Sequence, residues 1–408
     1  MVGDGGEVYP EPRNLGGTTI SIPLIALLAI ALAAFQGAAH AQGVEELVEE
    51  RLEGQAPGGE PVQRDGGELV VEPPRAAPSA SAPPDAAVIP GGDPAVAEEE
   101  IEPTMADLEV EAVNGATYTS DAESIRGANA LILKAQVLLD RAGASPGVID
   151  AYYGENVDKA IAAVETVLEL TVDGRLDPQV WAALGGDNAH AVLVEYTITE
   201  DDIAGPFAPD IPADYSKQAR LDRLAFTGPT EMFGERFHMD VDLLTALNPD
   251  VDRNQPGSTI VVAAVDGQPI SGAIVRIEVD KESKQLRAYD AEEKLVVAYP
   301  ASIGSDENPS PSGTHTIDAV ASEPFYNYDP ENFVQGDNHQ KLTLPPGPNN
   351  PVGIVWIGLS DPGYGIHGTP EPSKIEKTGS HGCIRLTNWD VEELAALVRP
   401  GVAVTFLE

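Results

Sequence analysis

The sequence predicts a multidomain chain that ends in a mostly-β domain, a sandwich or barrel. A small three-helix bundle and an α+β unit precede it, behind a disordered linker. Three observations predict this. From Ser271 onward apolar and polar residues alternate in short runs between turn residues, as in AIVRIEVD, KQLRAYD and KLVVAYPASIG, the period-2 pattern of consecutive hairpins. Between Asn129 and Leu184 the apolar residues recur at helical spacing instead. From Gly43 to about Pro103 neither period is present, and Pro, Ala and like charges dominate. At 408 residues the chain is too long for a single core.

Residues 1–41 read as an export signal. Thr18–Ala34 is an apolar run, and Ala39-His40-Ala41 is an A-x-A cleavage pattern before Gln42. Arg13 is the one basic residue ahead of the run, against Asp4, Glu7 and Glu11. The run is short for a membrane span, which needs about 20 residues, and Pro23 interrupts it. A cleaved signal is therefore the expectation, with an uncleaved anchor as the alternative. The processed chain is expected in the periplasm or against the cell wall, with no stable membrane insertion. Residues 42–120 are expected to be an acidic Pro/Ala-rich linker, since PPRAAPSASAPP and the Glu98–Glu100 cluster bury too little apolar surface to offset chain entropy. The formal net charge of −42 excludes nucleic-acid binding by phosphate neutralisation and disfavours anionic membrane surfaces.

In residues 121–188, ANALILKAQVLLDRAG places Leu131, Ala135, Leu138 and Leu139 on one helical face. DKAIAAVETVLEL does the same with Ile161, Val164 and Leu168, and TVDGRLDPQVWAAL closes the segment with turns before Trp181, read as a core residue. The stretch resembles the peptidoglycan-binding three-helix module, with Ala151 in Asp150-Ala151-Tyr152-Tyr153-Gly154 where that family has Gly, and Glu165-Thr166 for its Phe-Gln. In residues 192–265, YTITEDDI begins as a strand, EMFGERFHMDVDLLTALNPDV gives two short helices, and GSTIVV returns as a strand. This order resembles a LysM repeat interrupted by an insertion at about Ala204–Gly228. His238 is read as a packed surface histidine.

The chemistry lies in residues 271–408. Cys383, the sole cysteine, sits in Ser380-His381-Gly382-Cys383-Ile384-Arg385-Leu386. It cannot form an internal disulfide, and an exported bare thiol is a liability unless it is used. A thiol attacks an acyl carbon as the thiolate, so a base or a positive field is expected beside it. Two histidines compete for that role. His381 is two residues away, and His367 arrives from the Gly-rich segment Tyr364-Gly365-Ile366-His367-Gly368-Thr369. Residue chemistry alone does not rank them. Gly382 permits a tight turn whose amides, with that of Cys383, would form an oxyanion hole. A zinc site of Cys383, His367 and His381 is the rival chemistry, but the spacing from 381 to 383 is too short for the common ligand patterns. Neither metal nor cofactor is expected.

YGIHGT…SHGCIRL resembles the L,D-transpeptidase (YkuD-type) catalytic domain, whose signature is H-G-T followed by S-H-G-C-[IV]-R. Supporting matches are Ser312-Gly313-Thr314, the run Pro345–Gly353 and Gly401–Val404, so that the resemblance spans about residues 272–407. It implies a mostly-β YkuD-like fold and a reaction on peptidoglycan. Cys383 would attack the carbonyl of the diaminoacid at stem position three and release D-alanine, and an amine would resolve the thioester into a 3→3 cross-link or a protein attachment. The resemblance makes His367 the base, oriented by the Gly368 carbonyl, and His381 a loop-shaping or substrate-contacting residue. Arg385, Tyr364 and Ser380 are candidates for substrate binding or loop stabilisation, with an Arg385–Asp390 salt bridge as the plainer alternative for the arginine. The resemblance also implies sensitivity to carbapenems. Two further readings stay open: L,D-carboxypeptidase or D-amino-acid exchange activity, and a noncatalytic wall-binding scaffold.

Overall fold

The computed structural model describes residues 70–71, 103–120, 124, 126–267, 270, 272–304, 308–380 and 382–408. The expected signal, most of the expected linker, and His381 lie outside the described residues. No described helix is long and apolar enough to cross a membrane.

The helical module is built from α1 (Val110–Asn114), α2 (Ala130–Arg141), α3 (Glu155–Val167) and α4 (Pro178–Ala183). Helix α1 corrects the sequence reading, which put residues 103–120 in the linker. Val113 is fully buried, and the Asn114 side chain accepts from the amides of Val192 and Leu193 and donates to the Leu193 carbonyl. One short apolar turn ending in an Asn that closes a distant strand has no periodicity to reveal it. The Asn129 carboxamide caps α2 by accepting from Leu131 and Ile132, and Asp177 caps α4 ahead of Pro178. The buried Gln136 side chain holds the 150–152 loop, accepting from Ala151 N at 2.8 Å and donating to Asp150 Oδ1 at 2.8 Å. Ala151 sits at φ 69° in that loop, a left-handed conformation that suits the glycine of the resembled module. Glu165 accepts from the Asp173 and Gly174 amides and so fastens the turn before α4. Trp181 is core, whereas Leu168, expected on the buried face of α3, is exposed because it is the residue that caps the helix end.

The middle unit pairs β1 (Leu193–Thr197) antiparallel with β2 (Thr259–Ala263). Between them lie α5 (Glu200–Ala204), α6 (Tyr215–Gln218), α7 (Pro229–Arg236) and α8 (Val241–Leu247).

The last domain is one curled mixed sheet of β3 (Arg276–Asp280), β4 (Gln285–Tyr289), β5 (Leu295–Pro300), β6 (Gly313–Ser322), β9 (Val355–Leu359), β10 (Gly365–His367), β11 (Ile384–Arg385) and β12 (Ala403–Leu407). A separate hairpin, β7 (Phe325–Tyr328) with β8 (Leu342–Leu344), projects from it, and Val70–Val71 runs parallel to the start of β7. The order is β11-β10-β9-β6-β12-β3-β4-β5, with β12–β3 and β10–β11 parallel and the other pairs antiparallel. The chain leaving β5 returns to the far edge, where Ser302 and Arg385 exchange both backbone hydrogen bonds at 2.9 Å. The sheet therefore curls almost shut and its edge is not left open. Ile277, Leu286, Ile357, Ile366, Ile384 and Val404 fill its interior, and α9 (Asn388–Leu397) covers one side with Val391 and Leu394.

Polar contacts fasten the three parts to each other. His238 Nδ1 lies 2.9 Å from Asp140 Oδ2 on α2, and its ring stacks on Trp389 of α9 at 5.1 Å. Asp390 is 3% exposed and its Oδ2 has no hydrogen-bond partner among the described residues. Burial pushes its carboxyl up to about 8, against the opposing pull of Thr387 and His238. Burial pushes Glu235 up to about 8 as well, although the Asn388 amide donates to it. Both acids hold a proton more tightly folded than unfolded, so their contribution favours folding at low pH and is lost as pH rises toward 8. The thermal midpoint is expected to fall between pH 5 and pH 9, and Asp390→Asn should reduce that fall by about 3 °C or more. A wild-type midpoint that is flat over this range would contradict the assignment.

In the helical module, Gln136→Leu should leave the loop amides unmet and cost about 2 kcal/mol in denaturant titration.

Candidate active site

Strands β10 and β11 run parallel with Ile366 opposite Ile384 and His367 opposite Arg385. Side chains alternate across a strand, so the two isoleucines enter the sheet interior, where both are fully buried, and His367 and Arg385 share the other face. Cys383 stands immediately before β11. It joins Trp356, Leu224, Tyr326, Tyr328, Leu344 and Val352 in a separate apolar cluster. Trp356 lies opposite His367 across β9–β10 and stacks on its ring at 5.6 Å.

His367 Nδ1 lies 2.7 Å from the Gly368 carbonyl. A carbonyl only accepts, so Nδ1 carries the hydrogen and Nε2 keeps its lone pair. Burial pulls the imidazole down to about 3, the Arg385 charge adds to this, and the Gly368 carbonyl opposes it. The ring is therefore neutral. The Cys383 thiol donates to the Gly363 carbonyl at 3.7 Å. Burial pushes it up to about 12, opposed by the Gly365 amide and Arg385. Chemistry alone anticipated attack by a thiolate, with a base or a positive field beside it. The structure instead has a neutral thiol and a neutral imidazole, because both are almost sealed from water, at 4% and 5% exposure.

Ser380 stitches the loop together. Its hydroxyl donates to the Cys383 carbonyl and accepts from the Gly382 amide at 3.1 Å. The Gly382 carbonyl accepts from Ser310 Oγ at 2.7 Å. Of the expected oxyanion pair, the Gly382 amide donates within its own turn, while the Cys383 amide makes no hydrogen bond to a described residue. Gly382 has φ 106°, and a Cβ there would fall 2.8 Å from the Tyr364 ring, so the turn needs glycine twice over. Tyr364 thus packs against the turn at Gly382.

Arg385 lies within electrostatic reach of Cys383, Glu371, Tyr215 and Tyr326. Among the described residues it forms no ion pair with Asp390, which points instead toward Ser145 and His238, and its Nε has no partner. No described group of His, Cys, Asp and Glu is arranged to hold a metal, and His381, the third ligand of the zinc alternative, lies outside the described residues.

Sequence reasoning missed Trp356 and Asn388. The Asn388 Oδ1 accepts from the Ile354 and Thr369 amides, and its Nδ2 donates to Glu235 of α7. It therefore braces the turn just after His367 from the middle unit. Neither Trp356 nor Asn388 lies in a motif that carries a chemical signature in the sequence.

Two family models match the chain: an L,D-transpeptidase catalytic domain over residues 274–405 and a peptidoglycan binding domain over residues 129–184. The relative named L,D-transpeptidase YkuD from Bacillus licheniformis is 31% identical over 180 residues, 43% of this chain and 91% of that protein. The chain belongs to the L,D-transpeptidase family. The relative named ErfK/SrfK from Salmonella typhimurium is 32% identical over 193 residues, 45% of this chain and 60% of its own length. Of the solved structures, an L,D-transpeptidase from Xylanimonas cellulosilytica covers 68% of this chain and 92% of its own at 15% identity, with a TM-score of 0.29. So loose a superposition adds nothing to the assignment.

The raised thiol predicts a measurable behaviour. Alkylation of Cys383 should accelerate about tenfold per pH unit up to about pH 10 without levelling off. A plateau between pH 6 and 8 would show a preformed thiolate and contradict the neutral pair.

Proposed function

We propose that this transpeptidase acts on peptidoglycan stem peptides through a thioester on Cys383. The observation that carries the reading is the hydrogen bond of His367 Nδ1 to the Gly368 carbonyl, which fixes the tautomer and leaves Nε2, without a partner among the described residues, to serve as the base for the Cys383 thiol. As Sγ attacks the carbonyl of the position-three diaminoacid, His367 Nε2 takes the thiol proton. The Cys383 amide faces the developing oxyanion. Collapse breaks the amide bond, and His367 delivers the proton to the departing D-alanine amine. An amine acceptor then attacks the thioester and gives its proton to His367, Sγ leaves and takes that proton back from Nε2, and a 3→3 cross-link or an attached protein results. A neutral starting pair suits this sequence, because charge develops only in the transition state, inside a site that excludes water. Arg385 is assigned to an acidic group of the substrate, Tyr364 to the cleft wall, and Ser380 to the loop.

The helical module is assigned to wall binding. A cavity of about 370 Å³ between Asp150, Tyr152 and Tyr153 on one side and Lys284, Glu376 and Lys377 on the other lies where a polymer could touch both parts. The β1–β2 unit is assigned to a LysM-like module. Export to the periplasm or cell wall follows from the same substrate.

Incubation of the chain with tetrapeptide-stem muropeptides, read by mass spectrometry, tests the reading. Wild type should release D-alanine and form 3→3 dimers, Cys383→Ala should form neither, and His367→Ala should lose about 10²- to 10⁴-fold in rate. Release without dimers would assign water as the acceptor. Stems left intact by wild type, with Cys383 unreactive to carbapenems, would refute it.

A further inference from the structure

The insertion that interrupts the middle unit has a place in the fold that the proposed reaction does not use. Residues 205–228 leave α5, cross to the last domain and return to α7. The Ala208 amide donates to the Phe226 carbonyl at 2.8 Å and closes the neck of the excursion. Beyond the neck, contacts run from Ile211 to Ala225 onto the last domain. Tyr215 meets Tyr326 and Tyr328 edge-on, with ring centroids at 6.1 and 5.5 Å. Its amide donates to Gln335 Oε1 at 3.2 Å, and Gln335 Nε2 donates to the Ala213 carbonyl at 2.7 Å. Asn338 donates to Asp214 at 3.1 Å. The Leu224 amide donates to the Pro346 carbonyl, its carbonyl accepts from the Asn349 amide, and the Asn349 side chain donates to the Ala225 carbonyl at 3.0 Å. Arg223 pairs with Glu323 at 2.5 Å.

These contacts converge on the nucleophile. Leu224 is fully buried in the same apolar cluster as Cys383, and Ile211, Tyr215, Ala219 and Leu221 pack against it. Tyr215 also lies within electrostatic reach of Arg385. At Gly347 a side chain has no room, because the Leu224 carbonyl would lie 2.2 Å from its Cβ. The last domain is therefore shaped to receive the excursion. A loop that merely decorated a wall-binding module would turn its polar residues to water. This one spends its backbone and side-chain hydrogen bonds on the hairpin β7–β8 and on the run before β9.

We propose that residues 205–228 form a wall of the active site supplied by the preceding unit, and that Tyr215 is a specificity-determining residue that sets the size of the group able to reach Cys383. The middle unit is then part of the catalytic body, and an acyl donor reaches the thiol past Tyr215, whose ring is backed by the buried Tyr326 and Tyr328. The proposal deepens the transpeptidase reading by assigning its selectivity, and its test does not require turnover.

The test is the rate of Cys383 alkylation in the full chain by a small reagent, iodoacetamide, and by a bulky aromatic maleimide. Wild type should discriminate strongly against the bulky reagent. Tyr215→Ala should raise the bulky-reagent rate about tenfold and the small-reagent rate much less, which is the scale of selectivity a shaped apolar pocket supplies. Tyr215→Phe keeps the ring and should retain the wild-type ratio, and Gln335→Ala, which frees the wall without touching the ring, should shift the ratio in the same direction as Tyr215→Ala. An unchanged ratio in both Tyr215→Ala and Gln335→Ala, or an equal rise for both reagents, overturns the proposal. A chain inactive on muropeptides that still shows the size shift would refute the proposed reaction and leave the wall intact.

Discussion

The parallel pairing of β10 with β11 is the constraint on which the site depends. Parallel neighbours need a crossover of a dozen or more residues, and the segment from Thr369 to Gly382 supplies it. The register sets Ile366 and Ile384 into the sheet interior, and a slip by one residue would exchange those buried positions for His367 and Arg385. The hydrophobic effect thus holds a polar geometry in place. The Ser302–Arg385 exchange repeats the constraint from the other edge of the curled sheet.

Around that pairing, burial has opposite effects on its two ionisable members. It raises the thiol and lowers the imidazole, so both are neutral at ordinary pH. The resting site stores no ion pair, and its reactivity depends on what enters. Such a thiol is protected in an oxidising compartment, since oxidation proceeds through the thiolate. The enclosure that protects the thiol is apolar and is built from Trp356, the β7–β8 hairpin and the segment 205–228.

The three folded parts act on the site together. Glu235 of the middle unit reaches Asn388, and Asn388 holds the Thr369 amide just beyond His367. His238 links Asp140 of the helical module to Trp389, the residue after Asn388. The segment that carries His367 is therefore steadied by residues from outside its own domain.

The sequence by itself determined the elements and singled out the candidate residues. Period-2 and helical patterns located the β domain and the helices, because each pattern records which face of an element is buried. The motifs around His367 and Cys383 were legible because they are local strings, and their glycines are demanded by backbone geometry. Only the tertiary structure decided the rest. It brought Trp356 onto His367 and Asn388 behind it, engaged the Gly382 amide with Ser380, and folded residues 103–120 that the sequence assigned to a linker. It also turned the insertion at Ala204–Gly228 from an interruption of a repeat into part of the surroundings of Cys383. The physical reason is common to all of these. Each is a contact between segments tens to hundreds of residues apart, or a balance of burial against charge, and neither leaves a periodic trace in the chain.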